Sequence, residues 1–322
     1  MIDSKQKYIK FCETEKNIPI FSQAWWLDIV CGEGNWDVIL VKKGDSIVAS
    51  FPYYLRKGKF GTKIMGMPRF TQKLGPYICY PAGQKYSSRL SYEKEIMNDI
   101  IKQLPKFDFF NVRFDYKYQN WLPFYWNGFK QTTLYTYVIG DISNNETVFS
   151  NFDYSKRSHL KKALINVNVH FDLSCDEFYN NHKMVLRKQG KTISYSYELF
   201  KQMYEKSYEK EQGRTIYCKD NDGNINAAFF VVWDNYSAYH LITSIDNSSK
   251  KSGVSLLVYK IIEYLSSKVT VYDFEGSMIE GVENSFREYG TIQKPYFDVY
   301  KYGTKKYIIL ENLRNILNAF KS

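Results

Sequence analysis

The apolar positions of this chain follow two periods, and the switches between them predict its elements. Helical spacing is clearest from Gly253 to Ser266, where Val254, Leu257, Val258, Ile261, Ile262 and Leu265 form the single stripe of a core-facing helix. Ser91 to Leu104 repeats the pattern with Ile96, Met97, Ile100, Ile101 and Leu104. A helix is also predicted over Phe21 to Val30, carrying the pair Trp25-Trp26. Strand alternation marks Trp36 to Val41, Ile47 to Leu55 and Phe109 to Phe114 in the first half. In the second half it marks Arg214 to Lys219, Asn224 to Asp234, Ser237 to Ser244, Val269 to Phe274 and Phe297 to Tyr302. The Gly/Pro-rich passage Gly61 to Gly83 reads as loop with one strand. Three helical segments open the second half, at Tyr154 to Val167, Asp176 to Lys188 and Tyr195 to Gln212. Asp176 and Ser194 or Ser196 supply the caps.

This order of elements occurs twice. Residues 91 to 139 and 253 to 301 both run amphipathic helix, acidic-ended strand, helix closing on glycine, last strand. Upstream, VKKGDSIVASFP at 41 to 52 and CKDNDGNINAAF at 218 to 229 both read strand, Gly/Asp turn, strand. Two copies of one α/β unit follow, and 322 residues is the length of two domains that each bury a core. The polar, aperiodic GDISNNE at 140 to 146 sets the boundary, giving domains 1–145 and 146–322.

Composition changes the picture in a few places. The net charge of +10, from 44 Lys and Arg against 34 Asp and Glu, favours a phosphate-bearing partner, a solvated basic surface being the plainer reading. Nothing in the chain points to DNA. The five cysteines, Cys12, Cys31, Cys79, Cys175 and Cys218, are scattered and never spaced as CxxC, which argues against a disulfide framework and a zinc site. The start has no basic region followed by an apolar stretch, and the longest apolar run, Ala227 to Trp233, is too short to cross a bilayer. A cytoplasmic protein without a transmembrane segment is expected, with peripheral contact to a membrane surface left open. His159, His170, His182 and His240 have no metal-ligand spacing, and no Gly-x-Ser-x-Gly or Cys/His motif suggests a covalent nucleophile. His240 lies on a strand expected to end near a cleft.

Helices, a three-strand meander, then helix, strand, helix and strand is the order of the GNAT acyltransferase fold. The chain resembles, along nearly its whole length, the tandem-GNAT Fem family, bacterial aminoacyltransferases that build peptidoglycan cross-bridges. The segments are NFDYSKRSHLKKALINVNVHF, a basic helix and strand; FYNNHKMVLRKQG, a second helix; and VYDFEGSMIEGVENSFREYG, a terminal strand, loop and helix. The resemblance implies an α/β (α+β) architecture of tandem GNAT-like domains, each a mixed, mostly antiparallel sheet flanked by helices. It also implies an acyltransferase that forms an amide on an amine of a cell-envelope precursor, with aminoacyl-tRNA as donor and no bound cofactor. The chain lacks the long helical arm that some Fem members insert. Where GNAT enzymes carry Arg/Gln-x-x-Gly-x-Gly/Ala before the main helix, this chain reads NSSKKSG at 247 to 253, a departure that sets acyl-CoA below aminoacyl-tRNA. The rivals are an acyl-CoA-dependent N-acyltransferase acting on an amino sugar or lipid, and a non-catalytic binding module on the same fold.

Candidate site residues follow. Phe286 and Arg287 stand where the resemblance places a catalytic-site Phe-Lys pair, and a fixed cation there suits a developing oxyanion; a surface arginine is the plainer alternative. Asp273 and Glu275 alternate about Phe274, which places both carboxylates on one strand face, to take a proton from the incoming ammonium or to cap the next turn. For a phosphate-bearing precursor the candidates are Arg157 in the basic helix, Arg187 in the second, and Lys250, Lys251 and Gly253 at the start of the main helix.

Overall fold

In the computed structural model, residues 3–246 and 253–319 are described. The first elements in chain order are α1 (Ser4–Thr14), α2 (Ala24–Cys31), β1 (Trp36–Lys43), β2 (Ser46–Lys57), β3 (Lys63–Gly66), β4 (Tyr77–Ile78), α3 (Tyr86–Gln103), β5 (Phe109–Arg113), α4 (Leu122–Trp126) and β6 (Lys130–Ile139). There follow α5 (Asn145–Ser150), α6 (Tyr154–Asn166), β7 (Val167–Phe171), α7 (Cys175–Lys188), α8 (Tyr197–Glu209), β8 (Gly213–Asp220), β9 (Ile225–Trp233) and β10 (Ser237–Ile245). The last are α9 (Val254–Leu265), β11 (Val271–Asp273), α10 (Glu280–Arg287), β12 (Ile292–Tyr302) and α11 (Lys305–Ala319).

The chain divides into two compact units, Met1–Leu134 with Pro295–Ser322, and Tyr135–Lys294. This differs from the expected division at 145/146. The difference lies in the closing strands. In the first unit β1, β2 and β3 form an antiparallel meander, α3 carries the chain to β5 parallel to β3, and β12 then pairs antiparallel with β5. In the second unit β8, β9 and β10 form the meander, α9 carries the chain to β11 parallel to β10, and β6 pairs antiparallel with β11. The two copies therefore share one pairing pattern with their last strands exchanged. Strand β12, from the second copy, is fixed to the first by Val299 opposite Val112 and by Asn111 Nδ2 donating to Asp298 Oδ1 at 2.6 Å. Between Gly61 and Gly83 there are two short strands where one was expected, β3 and β4, both paired to β2.

Many of the aromatic side chains go into the cores. In the first unit Phe51, Phe110, Phe114 and Phe124 are fully buried, with Phe114 and Phe124 edge to face at 5.0 Å. Such pairs add directional attraction to the burial of large apolar rings. In the second unit the predicted stripe of α9 is buried at Leu257, Val258, Ile261, Ile262 and Leu265, against Ile216, Phe229 and Val231 of the sheet. Burial continues around to Leu256, wider than the periodicity alone suggests.

Candidate functional site

The second unit opens where β10 and β11 part. They pair in parallel over three residues, Ser237–Val271 to Tyr239–Asp273, while β10 continues to Ile245 against β9 alone among the described residues. A register shift between His240 and Ile242 bends β10 at the same point. His240 Nδ1 lies 3.0 Å from the Tyr272 hydroxyl and Nε2 lies 2.7 Å from Thr243 Oγ1. Burial pushes its imidazole down to about 3, so the ring is neutral at ordinary pH.

Asp273 ends β11 and is fully buried. Its Oδ1 accepts from Thr136 Oγ1 (2.5 Å) and from the Glu275 backbone N–H (2.8 Å), so this carboxylate holds the turn that follows the strand. Glu275 does not continue the alternation expected of it. It lies beyond the strand with φ +61°, a left-handed conformation uncommon outside glycine, followed by Gly276 at φ +65°. Only glycine fits at 276, because a Cβ there would stand 2.0 Å from the Tyr135 carbonyl oxygen. Both carboxyl groups are thus buried, set by a turn rather than by a shared strand face.

The cavity lies between α6 and the start of α9. It has a volume of about 420 Å³ and is lined by Lys156, His159, Lys162 and Asn166 of α6, Val254 and Ser255 of α9, Ile245, and Ser285 and Tyr289 from α10 and its end. Lys156 is almost buried. Its Nζ donates to Ser285 Oγ at 2.9 Å, lies 3.4 Å from Glu288 Oε2 and sits 4.6 Å from the Tyr289 ring centre. The Tyr289 hydroxyl is 3.3 Å from Ser255 Oγ, and burial pushes its phenol up to about 12. Tyr289 stacks on Phe274 at 5.4 Å, which ties the cavity wall to the loop after β11. A helix start carries partial positive charge, so α9, Lys156 and Lys162 together favour an anion in this cavity.

The predicted residues fare differently here. Gly253 is the residue before α9, next to Val254 of the cavity wall, and its lack of a side chain serves packing, since a Cβ would come within 2.3 Å of Cys218 Sγ. Lys250 and Lys251 lie outside the described residues. Phe286 turns inward, 5.0 Å from Phe274 and 6.3 Å from Tyr137. Arg287 turns outward with 61% of its side chain exposed, 3.7 Å from Glu283, whose Oε1 accepts from the Tyr137 hydroxyl at 3.1 Å. Arg157 donates through Nη1 to the carbonyls of Ser150 (2.9 Å) and Phe152, which fastens the end of α5. It also borders a shallow basic hollow with Tyr154, Lys161 and Lys162. Arg187 is exposed in the last turn of α7, apart from the residues that line the cavity. Sequence reasoning passes over Ser255, Ser285 and Tyr289, and takes Lys156 only as one of a basic cluster with Arg157, Lys161 and Lys162 that could bind phosphate. The signal in the sequence that sets Lys156 apart is its place one turn before Leu160, on the buried side of α6.

No protein-family model and no curated protein matches this sequence. Solved structures do share its fold. FemX superposes with a TM-score of 0.65 at 12% identity, over 92% of this chain and 96% of that one. L-PGS from Bacillus licheniformis gives 0.54 at 12%, over 94% and 93%. The C-terminal domain of a putative lysylphosphatidylglycerol synthetase from Agrobacterium fabrum gives 0.54 at 10%, over 92% of each chain. At such identities the likeness establishes architecture alone: a mixed α/β fold shared with these proteins over nearly the whole chain.

Proposed function

We propose that the protein is an acyltransferase of Fem-like type that moves an aminoacyl group from tRNA to an amine of a phosphate-bearing cell-envelope precursor. The observation that carries this reading is the cavity at the start of α9, where a buried lysine and a helix N-terminus converge. It suits a donor with phosphates close to its reactive ester. In the reaction the amine lone pair attacks the ester carbonyl, the amine loses a proton, and the carbon–oxygen bond to the ribose breaks as the ribose oxygen takes up a proton. The tetrahedral oxyanion needs a fixed cation or hydrogen-bond donor. We assign that role to Lys156, which is nearly buried and held by Ser285. Arg287, exposed and shielded by solvent, attracts the phosphates of the donor. We assign proton removal to Glu275, whose carboxyl is buried in the turn that follows β11.

A second reading, an acyl-CoA-dependent N-acyltransferase, is favoured by the outer edge of β10 beyond Tyr239, against which an extended amide-bearing arm can pair as an added strand. Thermal unfolding separates the two. With aminoacyl-tRNA as donor, coenzyme A and acetyl-CoA leave the melting temperature unchanged, because a ligand stabilises only in proportion to its affinity for the native state. A dose-dependent rise at roughly micromolar coenzyme A would replace the first reading with the second.

A further inference from the structure

We propose that the first unit carries a docking face for an anionic phospholipid surface, built from the tip that follows β2 and from helix α11. The inference stands apart from the acyl-transfer reading. At the tip, Phe60 is 74% exposed in a left-handed conformation, φ +55°. A large aromatic is uncommon there and has nothing to gain in water. Helix α11 presents Ile309, Leu313 and Ile316 at i, i+4 and i+7, each more than half exposed, so its apolar stripe faces solvent. The two features adjoin: Lys306 Nζ donates to the Phe60 carbonyl oxygen at 2.9 Å. The helix is seated on the sheet by Tyr307, which stacks on Phe109 at 4.8 Å.

Charge decides the occupant. Lys57, Lys59 and Lys63 surround the tip, and Lys305 and Lys306 begin the helix, all exposed. The nearby carboxylates are occupied. Asp108 accepts from the Lys63 backbone N–H and from Thr304 Oγ1, and Glu311 pairs with Arg314 at 2.8 Å. An amphipathic helix with lysines beside its apolar stripe, joined to a protruding aromatic, matches a leaflet with acyl chains below and negative headgroups above. A second copy of the chain fits less well, since a two-fold contact through the stripe would set the lysine clusters against each other. RNA would pair with the lysines and leave the aliphatic stripe in water.

The test is co-sedimentation of the full chain with phosphatidylcholine vesicles and with vesicles containing about one-third phosphatidylglycerol. Binding is expected to the anionic vesicles, to weaken with added salt, and to be negligible on the neutral ones. Ile309→Ser with Leu313→Ser and Phe60→Ser should reduce it at least tenfold. Lys59→Glu with Lys305→Glu, a surface change that leaves the apolar stripe whole, should reduce it by about fivefold or more for each lysine. Circular dichroism checks that each variant is folded. The proposal fails if the wild-type chain ignores anionic vesicles or if both variants bind as it does. It also fails if sedimentation velocity shows a dimer that the stripe variant splits while vesicle binding persists, or if the variants lose only RNA binding.

Discussion

At the scale of single residues, burial separates the cations that can do chemistry from those that attract. Lys156 and Arg287 differ most clearly: the first is enclosed and bonded to Ser285, the second is mostly in water. A preorganised cation is worth most where water is excluded. Lys156→Met is therefore expected to lower kcat by about 100-fold or more. Arg287→Ala should change kcat less than about tenfold and act mainly on KM, with Arg287→Lys restoring most of the loss. A large kcat defect confined to Arg287→Ala would return the oxyanion role to that residue. Two buried histidines set the response to acid. Burial pushes His182 down to about 4 and His240 down to about 3. Both values lie below the ordinary one near 6.5, so the native state keeps neutral rings while the unfolded chain takes up protons. Their contribution is whole above about pH 6.5 and is lost as the pH falls toward the folded values, at about 1.4 kcal/mol per pH unit for each ring. Urea unfolding at pH 7, 6 and 5 should show this slope, and His182→Phe should remove about half of it. An unchanged slope in that variant would place the acid sensitivity elsewhere.

At the scale of elements, the exchange of closing strands makes each half depend on chain from the other. Fragment 1–145 contains the whole first repeat and lacks β12, so β5 would be left with a bare edge at Phe109–Arg113. It is expected to aggregate or to remain protease-sensitive. A fusion of 1–134 to 295–319 through a flexible linker should instead fold cooperatively. Circular dichroism and urea unfolding distinguish them, and cooperative unfolding of 1–145 alone would show that β12 is dispensable. The repeat itself was legible because α3 and α9 carry clear apolar stripes and because both hairpins turn on Gly and Asp. Which last strand joins which sheet was not legible. Strands β6 and β12 both alternate and follow a helix that ends on glycine, so local pattern is equal for either pairing.

At the scale of the whole molecule, the net charge of +10 suits a polyanionic donor. If tRNA is bound through lysine and arginine contacts to phosphates, its affinity should fall about tenfold or more between about 0.05 and 0.2 M salt. Filter binding over that range measures it, and a flat response would argue against a phosphate-led contact. Among the described residues no helix is long and apolar enough to cross a membrane. Any bilayer contact by these residues is then a matter of surface, such as the Phe60 tip and α11.

By itself the sequence determined the fold class, the duplication and the order of elements, because periodicity and turn chemistry are local properties that each segment carries. It also brought forward the end of β11 and the residues that follow it, where Asp273, Glu275 and Phe286 are buried or packed inward. Tertiary structure alone decided which of many basic residues are enclosed and which stay in water. Arg157 and Lys156 are neighbours in one helix, yet the first fastens α5 and the second enters a cavity. That distinction depends on what packs against each face of α6, and burial, hydrogen bonding and the field at a helix start are properties of neighbours brought together by folding.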